Sequence, residues 1–470
     1  MSARRISSFR TPRLHPLAAC LAALFELGDA SAAPAQPSGA IVVTNCLDSG
    51  SGSLRAAVQA AGPGTPIDLT QLPCSQITLT TGRIDISHDQ LLQGPGAGLL
   101  TIDGNNTDRV FNQNTVGAQL AIYGMTLQRG YGFLAGGCIY SNGPVLLNDA
   151  VITGCRVFGN AGSSIYKAGG LYVKGMLFAQ HSHIDGNEVY TSLGGAIGGG
   201  FVATGDAVLI DSTVSGNSAS SSVQPSPIVA AGGGEVGGAL TMQYSTVADN
   251  ILQGVGGAAG VGGGLRVNGP ATITNSTISG NTAGGTGGLL VYGLNSATVS
   301  SLTNSTVSGN TANAVGGIYA KHGITIANST IAFNHEHYAL GAALRLSYGV
   351  ADLESAIVAA NTSDTDTVNI GLGIGGGVTG ATNLIGPSGT TTLPPDTIQS
   401  DPRLLPLANN GGPTKTHELS PDSPAINHGA NPFTLTNDQR GAGFPRTLGS
   451  APDIGAVEAD ADIIFANGFD

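Results

Sequence analysis

Short runs in which apolar and polar residues alternate recur along most of the chain. Each is only a few residues long and is broken by Gly or Asn, as in Ala271-Thr272-Ile273-Thr274-Asn275 and Gly323-Ile324-Thr325-Ile326-Ala327. Period-two alternation over such lengths predicts strands. A helical solenoid needs segments of ten or more good helix formers, and Gly and β-branched residues interrupt every such window here. The best helix in the chain covers residues 53–61, where Ser53 can cap the N-terminus and Leu54, Ala57, Val58 and Ala61 form one apolar face.

The strands fall in a repeat. An [Ile/Val]-x-x-Asn pattern ends at Asn160, Asn187, Asn217, Asn250, Asn281, Asn310, Asn334 and Asn361, with spacings of 27, 30, 33, 31, 29, 24 and 27 residues. A Gly-Gly pattern runs in phase with it: Gly169-Gly170-Leu171, Gly194-Gly195-Ala196-Ile197, Gly237-Gly238-Ala239-Leu240, Gly263-Gly264-Leu265, Gly287-Gly288-Leu289 and Gly316-Gly317-Ile318. One coil of short strands per period predicts an all-β fold, a right-handed parallel β-helix of roughly eight to eleven coils stacked about 4.8 Å apart. The Ile or Val fills a corner of the core, the small residues turn the chain, and Asn takes the left-handed conformation the turn needs. Stacked Asn amides then form a ladder. The longest insert, 218–234, is expected to project from one face.

A solenoid needs covered ends. The expected division is a signal peptide at 1–33, an N-terminal helical cap with the first coils at 34–110, repeats at 111–400, an irregular C-terminal cap at 401–459 and a tail at 460–470. The signal reading rests on Arg4, Arg5, Arg10 and Arg13, the apolar stretch from Leu17 to Leu27, and the small residues Ala30-Ser31-Ala32-Ala33. No segment is long enough to span a bilayer as a helix.

Composition sharpens this picture. Seventy-three Gly, 23 Pro and only 10% charged residues suit a thin core of small and β-branched side chains. Without its first 33 residues the chain holds 14 basic and 28 acidic residues, a net charge of −14. That balance argues against nucleic acid or anionic membranes as partners. Cys46 and Cys74 lie 28 residues apart, and Cys138 and Cys155 lie 17 apart. An even count in an exported protein predicts two local disulfides. The absence of any Cys-x-x-Cys pair argues against zinc or redox chemistry.

Val43-Thr44-Asn45-Cys46-Leu47-Asp48-Ser49-Gly50-Ser51-Gly52-Ser53-Leu54-Arg55 resembles the opening of exported bacterial β-helix proteins of the pectate-lyase-like superfamily. The Gly-Gly and [Ile/Val]-x-x-Asn copies are similar to repeats of polymorphic outer-membrane proteins, which carry Phe where this chain has Ile or Val. Asp401-Pro402-Arg403-Leu404, Asn409-Asn410-Gly411-Gly412-Pro413-Thr414, Ser423-Pro424-Ala425-Ile426-Asn427, Asp438-Gln439-Arg440-Gly441 and Pro452-Asp453-Ile454-Gly455-Ala456-Val457-Glu458 resemble a choice-of-anchor Q domain. The end Ile464-Phe465-Ala466-Asn467-Gly468-Phe469-Asp470 is similar to the tails of exported proteins of Gram-negative bacteria. The resemblance implies fold and a secreted or cell-surface address, and no particular reaction.

Candidate chemistry is sparse. A β-helix lyase needs acids to hold calcium and an Arg or Lys base, and a hydrolase needs two or three acids on neighbouring coils. Between residues 161 and 360 there are nine acids and five bases, with no adjacent acidic pair. Asp185 and Asp211 are expected one coil apart, but Asp211 fills the slot of Asn275, Asn304 and Asn328, which predicts a structural role. In His335-Glu336-His337 two His at i, i+2 on a strand can share a face and bind a metal. The plainer expectation is a solvated loop beside Asn334, and His181 and His183 repeat the spacing. His322 precedes the cluster by half a coil. The sequons at Asn275, Asn304 and Asn328 keep a constant place in the coil and read as repeat residues. Tyr172, Tyr292 and Tyr319 follow the Gly-Gly motif at similar offsets, where they can stack and grip sugar rings. These features favour a monomeric, non-enzymatic scaffold contacting a polysaccharide or cell-surface glycan without a cofactor. The alternative is a lyase or hydrolase of acidic polysaccharide, with calcium implied only for the lyase.

Overall fold

The computed structural model describes residues 39–459, apart from 161–163, 223–228, 254–261, 294–298 and 367. The expected signal peptide and the tail at 460–470 lie outside the described residues. The described chain winds into a parallel β-solenoid of about 11 turns. One coil shows the plan: Leu171–Val173, Leu177–Gln180, His183–Asp185 and Glu188–Thr191. Each strand pairs in parallel with its counterpart one coil on, Leu171 with Phe201, Leu177 with Ala207, Ile184 with Val214 and Glu188 with Ser218. The four positions form four columns. Leu171, Val173, Leu177, Ala179 and Ile184 from the first three columns point into one continuous core. A separate three-stranded sheet, Ile165–Lys167, Gly195–Ile197 and Val229–Ala230, stands beside the first column. Of the stretch expected to project, Ser218–Ser221 lie in the fourth column and Val229–Ala230 in this sheet, and 223–228 lie outside the described residues.

The Asn ladder is present. Asn187 Nδ2 donates to Asn217 Oδ1 at 3.0 Å, and the same bond links Asn217 to Asn250, Asn250 to Asn281, Asn281 to Asn310, Asn310 to Asn334 and Asn334 to Asn361 at 2.8–2.9 Å. Each Oδ1 also accepts the backbone N–H of the preceding rung, as Asn310 does from Asn281. All seven side chains are buried.

Two expectations about this motif need correction. The left-handed residue is the one before each Asn: Gly186, Gly216, Asp249, Gly280, Gly309, Phe333 and Ala360 have φ between 56° and 67°. Asn is selected for its amide, which donates and accepts at once. Asn160 is also not a rung, because it is exposed and lies outside the ladder. Ile152, not Val157, pairs with Ile184, so the equivalent of Asn187 is Cys155, whose N–H donates to Asn187 Oδ1 at 3.0 Å.

Two Gly-Gly copies are out of phase: Gly195 opens a strand of the side sheet and Gly237-Gly238 follow the strand Gly234–Val236, so the true equivalents of Gly169-Gly170 are Gly199-Gly200 and Gly232-Gly233. The phase of the true copies has a steric cause. A Cβ on Gly170, Gly200, Gly233, Gly264 or Gly288 would come within 2.9–3.2 Å of the amide of Asn187, Asn217, Asn250, Asn281 or Asn310, and within 2.5–2.7 Å of a carbonyl one coil on. Gly leaves room for the ladder. One coil earlier, Cys138 takes the Gly position, donating to Gly170 O, and Cys155 takes the Asn position. Their disulfide replaces the Gly–Asn contact with a covalent bond at the head of the ladder. The Cys46–Cys74 bridge also forms.

A second ladder was not foreseen. Ser182, Ser212, Ser245, Ser276, Ser305 and Ser329 are buried, and the N–H of Ala150 and of each Ser but the last donates to the hydroxyl one coil on at 3.1–3.2 Å. Each follows a left-handed residue, among them His181, Asp211, Tyr244, Asn275, Asn304 and Asn328. The constant Ser after a variable residue was its signal.

At the start of the chain, Ser53 caps the helix Leu54–Ala60, the only α-helix among the described residues, and Leu54, Ala57 and Val58 are buried. Asp48 accepts hydrogen bonds from Arg55, Thr80 and Thr81. Burial alone would raise the Asp48 pKa, but these donors outweigh it and hold the carboxyl at about 2. The Asp, Ser, Leu and Arg of the opening motif are therefore structural.

Residues 401–459 were expected to close the C-terminal end. They lie along the flank instead, in the same compact unit as the coils. Asn275 Nδ2 donates to the carbonyls of Asp438 and Gln439, Asn304 Nδ2 to Asn437 and Asn328 Nδ2 to Ala430. Thr277, Thr306 and Thr330 bond Lys415 O, Gln439 Oε1 and Ala456 N–H. The sequon residues thus fasten this strap, and their amide nitrogens are engaged by it. Four of the strap's charges are internal: Arg440 pairs with Asp438, and Arg446 with Glu458, all fully buried, whereas the Arg403–Asp422 pair is exposed.

Candidate functional site

The coils carry two long flanks of contrasting chemistry, and the one that the strap leaves uncovered is the candidate site. Along the first column the middle residue of each strand faces outward. In register these are Asn112, Tyr140, Tyr172, Val202, Glu235, Arg266, Leu290, Tyr319 and Arg345. Seven steps from Tyr140 to Arg345 at about 4.8 Å span roughly 34 Å. The site is thus a long strip in which Tyr140, Glu235, Arg266, Tyr319 and Arg345 are partly exposed, while Asn112, Tyr172, Val202 and Leu290 are buried. The three-stranded sheet walls part of it, packing Ala168, Ile197 and Ala230 against Tyr172 and Val202.

Cations lie over the rings. Arg109 and Lys174 sit 5.4 and 5.5 Å from the Tyr140 centroid, and Lys167 is 5.9 Å from that of Tyr172. Further along, Arg266 and Lys321 flank Tyr292 at 5.3 and 5.9 Å. Such contacts hold a cation and a ring in a fixed relation. Arg109, Lys167, Lys174, Lys321 and Arg345 form no ion pair with a carboxylate among the described residues. A hydrogen bond with Tyr140 raises the pKa of Lys174, while burial lowers that of Arg109, opposed by Asp108. Glu235 is the one acid among the outward residues. It lies 3.7 Å from Arg266, and neither Glu235 Oε2 nor Arg266 Nε has a hydrogen-bond partner.

The tyrosine expectation is partly met. Tyr172 and Tyr319 share the outward register position, but Tyr292 lies one residue beyond its strand Leu289–Val291. The ring that stacks on Tyr172 is Tyr140, at 5.3 Å and 24°. Cys138 replaces Gly in Gly136-Gly137-Cys138-Ile139-Tyr140, which hid its equivalence to Gly169-Gly170-Leu171-Tyr172.

Other candidates separate. Asp185 pairs in register with Ser215, whereas Asp211 is a left-handed turn residue 3.6 Å from His181, so the two acids do not converge. Burial raises the Asp211 pKa, and His181 opposes it. His181 and His183 do not share a face either, because His181 has φ 47° and the strand begins only at His183. His322 stacks on Tyr348 instead of joining the other His. His335 and His337 do converge, and Asp364 joins them from the next coil. Among the described residues no other group of three His, Cys, Asp or Glu is close enough to hold a metal.

A cleft of about 820 Å³ lies on the other flank between the strap and the coils. Its His417 is buried, donates through Nδ1 to Leu405 O at 2.7 Å and accepts from Ser308 Oγ at 2.7 Å. Burial lowers the His417 pKa, which favours the neutral ring, and the two hydrogen bonds make it a joint between strap and coil.

No family model and no curated protein matches the chain. A crystal structure of pectate lyase Pel9A is similar over 90% of this chain and 97% of its own, at 17% identity and a TM-score of 0.46.

Proposed function

We propose that the protein is an exported, monomeric, non-enzymatic β-helix scaffold whose first-column strip holds an acidic polysaccharide at a cell surface. The observation that carries this reading is the row formed by Arg109, Lys167, Lys174 and Lys321, which have no carboxylate partner among the described residues and lie against tyrosine rings in a chain of net negative charge. Tyrosine faces take sugar rings and the cations take carboxylates or sulfates. The length of the strip fits an extended polymer. Among the described residues no three acids lie close enough together to hold calcium as a lyase does.

The test is affinity electrophoresis of the purified chain through gels containing a polyuronate, a sulfated glycan or a neutral glucan, with the polymer then assayed for cleavage. Retardation by the anionic gels without cleavage is expected, and stronger salt should weaken it. Equal retardation by the neutral glucan would contradict the strip's chemistry. Release of unsaturated sugars would replace this reading with the lyase.

A further inference from the structure

We infer that His335, His337 and Asp364 form a binding site for one divalent transition-metal ion of the zinc class, clipping two successive coils together. His335–Glu336 pairs in parallel with Thr362–Ser363, which sets Asp364 opposite His337. Asp364 Oδ1 lies 3.2 Å from His335 Nε2, and its Oδ2 lies 2.5 Å from His337 Nδ1. The two imidazoles meet edge to face, 5.0 Å between centroids and 88° between planes. One atom from each of the three residues lies within 4.8 Å of the other two. Ligand atoms about 2.0–2.2 Å from a tetrahedral zinc ion stand roughly 3.3 Å apart, so small side-chain movements close the site.

The second shell is also in place. His335 Nδ1 is 2.9 Å from Thr362 Oγ1. With the Nδ1 proton donated there, the Nε2 lone pair points at the Asp364 carboxylate. That arrangement calls for either a proton or a metal ion between them. Two imidazoles and one carboxylate select zinc, cobalt, nickel or copper over calcium or magnesium. Three protein ligands on a solvent-facing edge leave the fourth position open. Glu336, between the two His, is turned away and accepts the N–H groups of Leu340 and Gly341, which holds the loop after the site. The site lies on the fourth column and is independent of the glycan strip.

The test uses the full chain without a histidine tag, stripped with chelator and titrated calorimetrically with Zn²⁺, with Co²⁺ as a spectroscopic reporter. One saturable site and a tetrahedral Co²⁺ spectrum are expected, with no heat from Ca²⁺. His337→Ala and Asp364→Asn should each weaken Zn²⁺ binding at least tenfold, with His181→Ala unchanged. Thr362→Ala keeps every ligand and should weaken it less. Melting without metal checks that each variant folds. Absence of saturable binding, or unchanged binding in folded His337→Ala, would overturn the inference and leave a hydrogen-bonded cluster.

Discussion

The strapped flank and the bare flank belong to the same coils, yet their polar side chains have opposite fates. On the strapped flank Asn275, Asn304, Asn328, Thr277, Thr306 and Thr330 all bond residues 401–459. The strap in turn buries four of its own charges in the Arg440–Asp438 and Arg446–Glu458 pairs. On the bare flank, Lys167, Lys174 and Lys321 rest against tyrosine rings and meet no carboxylate of the described residues within ion-pair distance. Density of polar residues is therefore a poor guide to function here. What separates the flanks is whether the chain itself supplies the partners.

The largest effect should come from breaking the strapped flank. Arg446→Ala strands Glu458 as a buried acid without its counter-ion, and such losses cost about 3–5 kcal/mol. Chemical denaturation should show that loss. A change below about 1 kcal/mol would mean that the strap is loosely held. Next comes the ladder inside the coils. Asn281→Ala removes donors to Val247 O and Asn310 Oδ1 and the acceptor used by Asn250, for a cost of about 1–3 kcal/mol. Asn160→Ala should change stability by less than about 0.5 kcal/mol, since that exposed residue is no rung. Equal melting temperatures for the two variants would contradict the revised ladder.

Both flanks also depend on the first coil. Asp48 has a folded pKa of about 2, below its ordinary 3.8. Its stabilisation is fully present above about pH 4 and is lost as pH falls through about 2. Removing the carboxylate in Asp48→Asn should cost about 1–2 kcal/mol at neutral pH. It should also flatten the acid limb of a stability–pH curve, while an unchanged limb would assign acid sensitivity elsewhere.

The sequence made the β-helix legible because a core-facing Ile or Val, a left-handed turn and a buried amide must recur in every coil. It misled where one coil substituted another solution. Cys155 stands in for Asn, so the local match Val157-Phe158-Gly159-Asn160 drew the motif five residues off register. Which face carried the tyrosines was only half readable, since Tyr140 follows Cys138 instead of Gly. The strap was visible as a segment but not as a flank, because its contacts join residues more than 100 positions apart, such as Asn328 with Ala430. Equal His-x-His spacings also diverged. A left-handed backbone at His181 separates one pair, while Asp364 one coil on completes the other.

The central claim is that the bare flank, not the strapped one, holds an acidic glycan. Its most direct test is polyuronate binding measured side by side for the unmodified chain, Arg109→Ser/Lys174→Ser on the strip, and Lys415→Ser on the exposed edge of the strap. The strip variant should lose at least tenfold in affinity while the strap variant binds as the unmodified chain does. Equal loss in both, or loss only in Lys415→Ser, would contradict the account.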